Sequence, residues 1–256
     1  MNKIRLSSPG KINLTLDIGR KTAEGYHKMQ SILMPIQLHD SITLEKNDIK
    51  KVILHTKGRS CPQGRENMAY KAAELFCKAA NIRPAVTITL YKRIPLSSGL
   101  GGGSSNAATV LIGLNELYDS PLSMKKLLEL AKEIGMDTPF FLNPTLALAT
   151  HFGEKIAPIV RKNSTLPKVL LLPSKAKKKS TGLAYESLDL SLCGKKKENT
   201  QKLLNFLKKS PKSWDGSWNV LLHNDFEQLY TIPSTNQKTK KTYLTGAGPM
   251  RFRICE

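Results

Sequence analysis

Two spacings of hydrophobic residues divide the chain into predicted strands and helices. Residues 4–18 and 85–91 alternate between apolar and polar side chains, as half-buried strands do. Hydrophobic residues spaced three and four apart predict helices at 66–80, 107–118, 123–134, around 203–207, and 219–230. The other strand-like stretches are 31–55, 145–156, 168–172 and a short segment after a turn at 245–248. Strands and helices therefore occur along the whole chain, and no internal repeat is visible.

Polar residues and a glycine mark the predicted helix ends. Asn67 and Ser123 precede helical stretches and predict N-caps, because such side chains accept hydrogen bonds from the first helical N–H groups. Gly135 predicts the end of the helix at 123–134. Asp137 comes next and abuts an apolar run, Pro139–Phe141. From the local sequence alone, we expect a cap at Asp137 in preference to a catalytic acid.

The stretch Pro95–Asn106 reads P-L-S-S-G-L-G-G-G-S-S-N and joins a predicted strand to a predicted helix. Glycine lets the backbone approach an anion and adopt positive φ, and the first N–H groups of a helix attract negative charge. The stretch lacks the G-K-[ST] of a Walker A loop and the third glycine and acidic residue of a dinucleotide fingerprint. A flexible linker is the plain alternative, although linkers rarely join an amphipathic helix without a gap. A phosphate-binding loop is therefore predicted, and the kind of phosphate stays open.

The charge and the cysteines limit the classes of function. The 256 residues include 40 Lys and Arg against 20 Asp and Glu, a formal net charge of +20, with the C-terminal part the more basic. This field attracts nucleic acid, acidic membranes or anionic metabolites without distinguishing them. The basic runs at 175–179 and 195–197 are typical of solvated loops. Four scattered cysteines argue against a zinc site or a disulfide scaffold, and without a long apolar stretch we expect a cytoplasmic protein.

Six motifs occur together and in order. They are S-P-G-K-I-N-L at 8–14, E-G-Y-H at 24–27, the glycine stretch with the following A-A, M-D-T-P-F-F at 136–141, N-D-F-E at 224–227 and T-G-A-G at 245–248. This set resembles the GHMP kinases over nearly the whole chain. The resemblance implies an α+β fold of two domains. It implies that residues 1–160 form an ATP-binding domain like ribosomal S5 domain 2 and that residues 161–256 form a ferredoxin-like domain.

The resemblance is greatest to one branch of that family. It implies transfer of the γ-phosphoryl group of ATP, with Mg²⁺, to a hydroxyl of a diphosphocytidyl sugar alcohol in non-mevalonate isoprenoid synthesis. It also implies a monomer or weak homodimer that binds neither nucleic acid nor membrane. Asp137 becomes the base that takes the hydroxyl proton, and Lys11 becomes the lysine that holds this carboxylate. Both roles reverse the plain local interpretation, which is a cap at Asp137 and a solvated lysine at the start of a strand.

The resemblance assigns further residues to the two substrates. Those implied to bind ATP are Asn67 at the adenine and Pro95, Leu96, Ser97, Ser98, Gly99, Leu100, Gly101, Gly102, Gly103, Ser104 and Ser105 at the phosphates. Those implied to bind the cytidyl substrate are Asn13, Tyr26, His27, Thr181 and Tyr185. In this assignment His27 pairs with the edge of the cytosine and Tyr185 covers one of its faces. No residue is assigned as a protein ligand of Mg²⁺.

Several features depart from the family pattern. Ser97 and Ser98 stand where glycine or another very small residue is usual. His151 stands where a small residue, often glycine, precedes the G-E turn. The chain also ends about one helix sooner after the T-G-A-G strand. We expect these departures to change efficiency and nucleotide affinity more than identity.

Two alternative functions follow from the same sequence. The first is a homoserine- or mevalonate-type kinase of the same family, but such an enzyme has no use for aromatic residues around a cytosine. The second is a nucleic-acid-binding protein on the same fold, which the net charge of +20 favours. The basic runs, however, lack the interleaved aromatic residues of a stacking groove.

Overall fold

The computed structural model describes residues 1–159, 166–173, 180–209, 217–230 and 241–255. The strands in these ranges are β1 (Lys3–Lys21), β2 (His27–Lys46), β3 (Val52–Gly58), β4 (Val86–Lys92), β5 (Ala147–His151), β6 (Lys155–Pro158), β7 (Lys168–Leu172), β8 (His223–Asn224), β9 (Tyr243–Leu244) and β10 (Arg251–Cys255). The α-helices are α1 (Met68–Ala79), α2 (Gly102–Leu117), α3 (Met124–Ile134), α4 (Thr181–Glu186) and α5 (Lys197–Lys208). Short 3₁₀ helices occupy Gly64–Glu66, Thr138–Leu142, Ser217–Leu221 and Asp225–Leu229. The basic run at 175–179 lies outside the described residues.

The chain forms two compact units, and each is assembled from separate stretches of sequence. The first unit consists of Met1–Gly10, Gln37–Leu96 and Gly101–Pro144. The second consists of Lys11–Ile36, Ser97–Leu100 and Thr145–Glu256. Strands β1 and β2 each contribute residues to both units. The two units therefore differ from the consecutive segments 1–160 and 161–256, and that division remains a prediction about the domains.

The first unit combines a sheet with three helices. Strand β4 pairs antiparallel with β2 and parallel with β3. Helix α2 packs against α1 and α3. It also lies close to the sheet at Gly113, where an added Cβ would come within 2.4 Å of Leu6 Cδ1 and 2.7 Å of Leu44 Cδ1. The side chains of Leu6 and Leu44 therefore pack directly against the α2 backbone at this position.

The helix ends in the first unit confirm the predicted caps. The Asn67 side chain accepts a hydrogen bond from the Ala69 N–H at 2.9 Å and begins α1. The Ser123 hydroxyl accepts one from the Lys126 N–H at 3.3 Å and begins α3, which ends at Gly135. Helix α1 starts two residues later than predicted, because a separate 3₁₀ turn precedes the cap.

The second unit contains the remaining strands and α4 and α5. Strand β5 pairs antiparallel with β2 and β6, and β8 pairs parallel with β1. A separate antiparallel sheet has the order β7-β10-β9. A hydrophobic cluster in this unit is formed by Leu16, Ile18, Ala184, Leu188, Phe226, Leu244 and Ala247.

Two predictions of local structure are wrong. Strand β1 alternates in burial only before residue 11. Residues 11–18 are not half-buried, because both faces are covered and their polar side chains have protein partners. The helix predicted at 219–230 is two 3₁₀ turns separated by β8. The Asn224 side chain accepts from the Phe226 N–H and donates to the Leu244 and Gly246 carbonyls, which favours the bent backbone over an α-helix. Among the described residues, no helix combines the length and apolar character needed to cross a membrane.

Candidate functional site: a glycine loop and its supports

The glycine loop, residues 95–105, has an unusual backbone. Three of its residues adopt left-handed conformations, with φ of +54° at Ser97, +86° at Gly99 and +71° at Gly101. Gly101 is also the N-cap residue of α2. Alternation of left-handed and ordinary residues turns successive N–H groups toward one side, and such concave backbone surfaces bind anions. The left-handed residues of the loop and the N-terminus of α2 are each of a kind that suits phosphate groups.

The turn at 245–248 packs directly against part of this loop within the second unit. A Cβ added to Gly99 would lie 2.1 Å from the Thr245 carbonyl oxygen. A Cβ added to Gly248 would lie 2.3 Å from the Ser98 carbonyl carbon. Both positions therefore require glycine, because the two backbones approach each other too closely for any side chain. The T-G-A-G motif thus supports the glycine loop, a role that the sequence did not predict.

Lys11 is buried beside the same part of the loop, with 3% of its surface exposed. Its ammonium group donates to the Gly99 carbonyl at 2.8 Å and to Asn13 Oδ1 at 2.8 Å. Its backbone N–H donates to the Leu100 carbonyl at 2.9 Å. A buried ammonium group is tolerated only with such partners. Lys11 is therefore a fixed positive charge at the glycine loop, not a solvated lysine.

The side chain of Asn13 joins Lys11 to the turn at 245–248. Its Oδ1 atom accepts hydrogen bonds from Lys11 and from the Gly246 N–H at 2.9 Å. Its Nδ2 atom donates to Ser31 Oγ at 2.8 Å. With 4% of its surface exposed, Asn13 is engaged mainly within the protein. Its contact with substrate remains a prediction.

Asp137 belongs to the first unit and is half-buried at the start of the 3₁₀ helix Thr138–Leu142. It occupies the N-cap position expected from the local sequence, but its side chain makes no capping hydrogen bond to that helix. The neighbouring Thr138 Oγ1 is buried and has no hydrogen-bond partner among the described residues. Because Lys11 and Asp137 belong to different units, their pairing remains a prediction.

Two other residues assigned to ATP have partners within the first unit. Asn67 caps α1 and donates through Nδ2 to the Pro62 carbonyl at 2.8 Å. Ser105 is fully buried, and its hydroxyl lies 2.8 Å from the hydroxyl of Ser8. Gly103 lies against α1, since an added Cβ would come within 2.8 Å of Met68 Sδ. Ser104, by contrast, is partly exposed on the first turn of α2.

The second unit brings together two of the residues assigned to the cytidyl substrate. The rings of His27 and Tyr185 stack with centroids 5.3 Å apart and an interplanar angle of 20°. Phe226 packs its ring at 81° to that of Tyr185, with centroids 5.0 Å apart. His27 Nδ1 donates to the Gly19 carbonyl at 3.1 Å, because a carbonyl oxygen can only accept. In the neutral ring, Nε2 is therefore a hydrogen-bond acceptor.

Tyr26 lies in a different aromatic cluster of the second unit and is 50% exposed. Its ring contacts Phe152 with centroids 5.3 Å apart. The preceding residue, His151, has a φ of +68° and hydrogen-bonds Glu154 at 2.7 Å. Burial alone would raise the pKa of Glu154, but hydrogen bonds from its own backbone, from His151 and from the Phe152 N–H lower it. Thr181, the first residue of α4, is exposed.

A buried polar cluster behind β1 was missed by the sequence analysis. Asp17 accepts hydrogen bonds from His223 Nε2 at 2.9 Å and from the Thr200 hydroxyl at 2.6 Å. His223 Nδ1 faces the Leu221 carbonyl at 2.9 Å. Burial raises the pKa of the nearby Asp225, although the Ile18 and Gly194 N–H groups oppose the shift. The N-D-F-E motif could have identified Asp225 from the sequence, whereas no local sequence pattern identifies Asp17 or Thr200.

A glycine loop of the phosphate-binding type, on an α+β fold of this kind, indicates a class of small-molecule kinases. The family model for the GHMP kinases N terminal domain matches residues 67–143, which include α1, the glycine loop, α2 and Asp137. In a solved structure, the mevalonate kinase of Methanococcus jannaschii has the same fold, with a TM-score of 0.67 over 99% of this chain and 90% of that one. At 17% identity this likeness concerns the fold alone.

More similar relatives narrow the class. The 4-diphosphocytidyl-2-C-methyl-D-erythritol kinase of Caldicellulosiruptor bescii is 34% identical over 98% of this chain and 89% of its own length. That of Macrococcus caseolyticus is 42% identical over 75% of this chain and 67% of its own length. A crystal structure of 4-(cytidine 5'-diphospho)-2C-methyl-D-erythritol kinase matches with a TM-score of 0.75 and 29% identity, over 99% of this chain and 90% of that one. The chain belongs to this kinase family within the GHMP kinases, which confirms the predicted family and fold class.

Proposed function

We propose that the protein transfers the γ-phosphoryl group of ATP to the 2-hydroxyl of 4-diphosphocytidyl-2-C-methyl-D-erythritol, a step of non-mevalonate isoprenoid synthesis. Relatives that are 34% and 42% identical have this kinase name. The observation that carries the proposal is the glycine loop, whose left-handed residues precede the N-terminus of α2 and whose Gly99 carbonyl accepts from the buried Lys11. A site for phosphoryl transfer from ATP needs this combination of backbone donors and fixed positive charge.

The loop, Lys11 and Asp137 have distinct chemical roles in this proposal. The backbone N–H groups of the loop and of the first turn of α2 bind the phosphates of ATP and offset the negative charge on the moving phosphoryl group. Asp137 accepts the proton of the substrate hydroxyl as that oxygen attacks phosphorus. Lys11 stabilises the ionised carboxylate and the developing alkoxide. Asn13 keeps the Lys11 ammonium group in place through its 2.8 Å hydrogen bond.

Mg²⁺ accompanies ATP in this proposal, and the nucleotide supplies most of its ligands. Among the described residues, no group of three His, Cys, Asp or Glu side chains could hold a metal ion. Mg²⁺ retains several waters and is usually held by phosphates with one or two carboxylates. The ion would neutralise charge on the phosphate oxygens. The backbone N–H groups of the glycine loop favour this binding of Mg²⁺ by the nucleotide, because they would orient the phosphates that hold the ion.

The aromatic residues of the second unit suit a cytosine ring. His27 Nε2 can accept a hydrogen bond from the exocyclic amine of cytosine, because Nδ1 donates to the Gly19 carbonyl. A base paired edge to edge with His27 lies in the plane of the imidazole. Tyr185, which already stacks on His27 at 5.3 Å, can then cover the base as well. We propose that Tyr26, which is half-exposed, covers the other face.

A coupled assay of ADP formation with a panel of acceptors tests the proposed function. We expect turnover with 4-diphosphocytidyl-2-C-methyl-D-erythritol and little with homoserine or mevalonate, because neither of those can use His27 and Tyr185. Phosphorylation of homoserine or mevalonate without the cytidyl acceptor would contradict the proposal. His27→Ala serves as a matched variant, and we expect a raised KM for the cytidyl acceptor with the KM for ATP unchanged.

A further inference from the structure

Five buried polar side chains lie together at the first turn of α2 in the first unit. We call them the α2 network: Ser8, Asp40, Lys92, Ser105 and Asn106. None of them has more than 2% of its surface exposed. They come from β1, β2, β4 and α2, so the network connects the sheet with the start of the helix. Only Ser105 among them was predicted to act in the site.

A buried ion pair forms the base of the α2 network. The Asp40 carboxylate is hydrogen-bonded to the Lys92 ammonium group. The same carboxylate accepts hydrogen bonds from the Arg93 and Ile94 N–H groups at 2.6 and 2.8 Å and from Asn106 Nδ2 at 2.9 Å. Four donors satisfy the ionised form of a buried carboxylate. Asp40 therefore holds the end of β4 and the start of α2 at one point.

Four further contacts join Ser8 and Lys92 to the helix. Asn106 donates to Ser8 Oγ at 2.9 Å and accepts from Lys92 at 3.2 Å. The hydroxyls of Ser8 and Ser105 lie 2.8 Å apart. Lys92 Nζ also lies against Gly102, since a Cβ added there would be 2.8 Å from it. The network thus contacts α2 at three of its first five residues.

We propose that the α2 network fixes the first turn of α2 in the geometry that binds the phosphates of ATP, with Ser8, Asp40 and Ser105 as positioning residues. The proposal rests on the assignment of the glycine loop to ATP. The ends of helices tend to fray, and the first turn of α2 follows a loop with several left-handed residues. A turn that is already fixed loses less conformational entropy when it binds phosphate and therefore binds it more tightly.

The composition of the network favours positioning over stability alone. A buried ion pair can often be replaced by apolar residues without loss of stability, so its presence is weak evidence for a stabilising role. A fully bonded polar network does define one arrangement of its members, because any displacement leaves a buried group without a partner. The part of the chain that this network holds in one arrangement is the first turn of α2, whose N–H groups are the proposed donors to phosphate.

Ser8→Ala, Ser105→Ala and the double variant test this proposal. The matched control is Thr109→Ala, which removes a buried hydroxyl one turn further along α2 and outside the network. Binding of a non-hydrolysable ATP analogue with Mg²⁺ is measured by calorimetry, together with KM for ATP and for the cytidyl acceptor. We expect Ser105→Ala, which removes one hydrogen bond of the network, to weaken analogue binding about fivefold. Ser8→Ala should weaken it at least as much, because it also removes the hydrogen bond from Asn106. The double variant should resemble Ser8→Ala, because that substitution already removes the hydrogen bond between the two hydroxyls.

Ser8→Ala is the decisive variant, because this hydroxyl lies on β1 and contacts the helix only through Ser105 and Asn106. A raised KM for ATP with an unchanged KM for the acceptor supports positioning. Unchanged analogue affinity, with a loss of thermal stability equal to that of Thr109→Ala, would overturn it. A wild-type protein that binds no ATP analogue overturns both proposals. Analogue binding that is weakened in the variants, without transfer to the cytidyl acceptor, overturns only the proposed function.

Discussion

At the scale of single residues, two of the three residues that depart from the expected family pattern have unusual backbone conformations. Ser97 and His151 both have positive φ, which side chains with a Cβ rarely adopt. The family resemblance predicts glycine or another small residue at both positions. The sequence identified both positions, but their strain was visible only in the backbone.

Ser97→Gly tests whether this strain is stored in the glycine loop. Relief of the left-handed conformation should raise the free energy of unfolding by about 0.5–1 kcal/mol, measured by urea denaturation. Ser98→Gly is the matched control one residue further, where φ is not positive. There the same substitution should destabilise the protein by about 0.5–1 kcal/mol, because glycine gains entropy in the unfolded state. Equal effects at the two positions would contradict this account of Ser97.

Asp137→Asn tests the proposed base. The amide keeps the shape of the side chain but does not accept the hydroxyl proton, so turnover should fall by about 10²–10⁴-fold. Affinity for ATP should remain unchanged, because the glycine loop, and not Asp137, is proposed to bind the phosphates. Steady-state kinetics and calorimetry measure the two quantities separately. If the variant kept most of its rate, Asp137 would not be the base.

Cys77 should make stability depend on alkaline pH. Burial raises the pKa of this thiol from about 9 to about 11. Between these values the unfolded state loses the proton while the folded state keeps it, so stability decreases as pH rises. The free energy of unfolding should fall by about 1 kcal/mol more in the wild type than in Cys77→Ala between pH 8 and pH 10. Parallel pH dependences in urea denaturation would contradict the assignment.

At the scale of elements, short-range patterns predicted helix ends and strands, whereas long-range contacts decided the rest. Asn67, Ser123 and Gly135 act within a few residues of their own position, and all three predictions were confirmed. The segment 219–230 has helical spacing, but Asn224 is bonded to the turn about twenty residues further along the chain. No local pattern contains such a contact. The sequence analysis missed the α2 network for the same reason, because its members are spread over four elements.

Asp40→Asn tests the ion pair of the α2 network as a property of the packed elements. The substitution leaves the Lys92 ammonium group buried without an anionic partner, which should cost about 3–5 kcal/mol of folding free energy. Addition of Lys92→Met removes the remaining charge and should recover most of this loss. Urea denaturation of the three proteins measures both steps. A double variant as unstable as Asp40→Asn would show that the charge pair is not the cause.

At the scale of the whole molecule, the net charge of +20 fits an enzyme whose two substrates are both polyanions. The family resemblance predicted the fold class and the kinase family, and the comparisons confirmed both. The charge alone predicted neither, because it also suits a protein that binds nucleic acid. Affinity for RNA measured against salt separates these functions. Tight binding with a steep salt dependence and no turnover of ATP would favour the nucleic-acid alternative.

Phosphorus NMR of a reaction that contains the protein, ATP, Mg²⁺ and 4-diphosphocytidyl-2-C-methyl-D-erythritol tests the central claim most directly. The account predicts that the γ-phosphate signal of ATP is replaced by a phosphomonoester on the 2-hydroxyl of the acceptor, with an equal amount of ADP. Release of inorganic phosphate or an unchanged acceptor, under conditions in which the protein is folded and binds ATP, would contradict it.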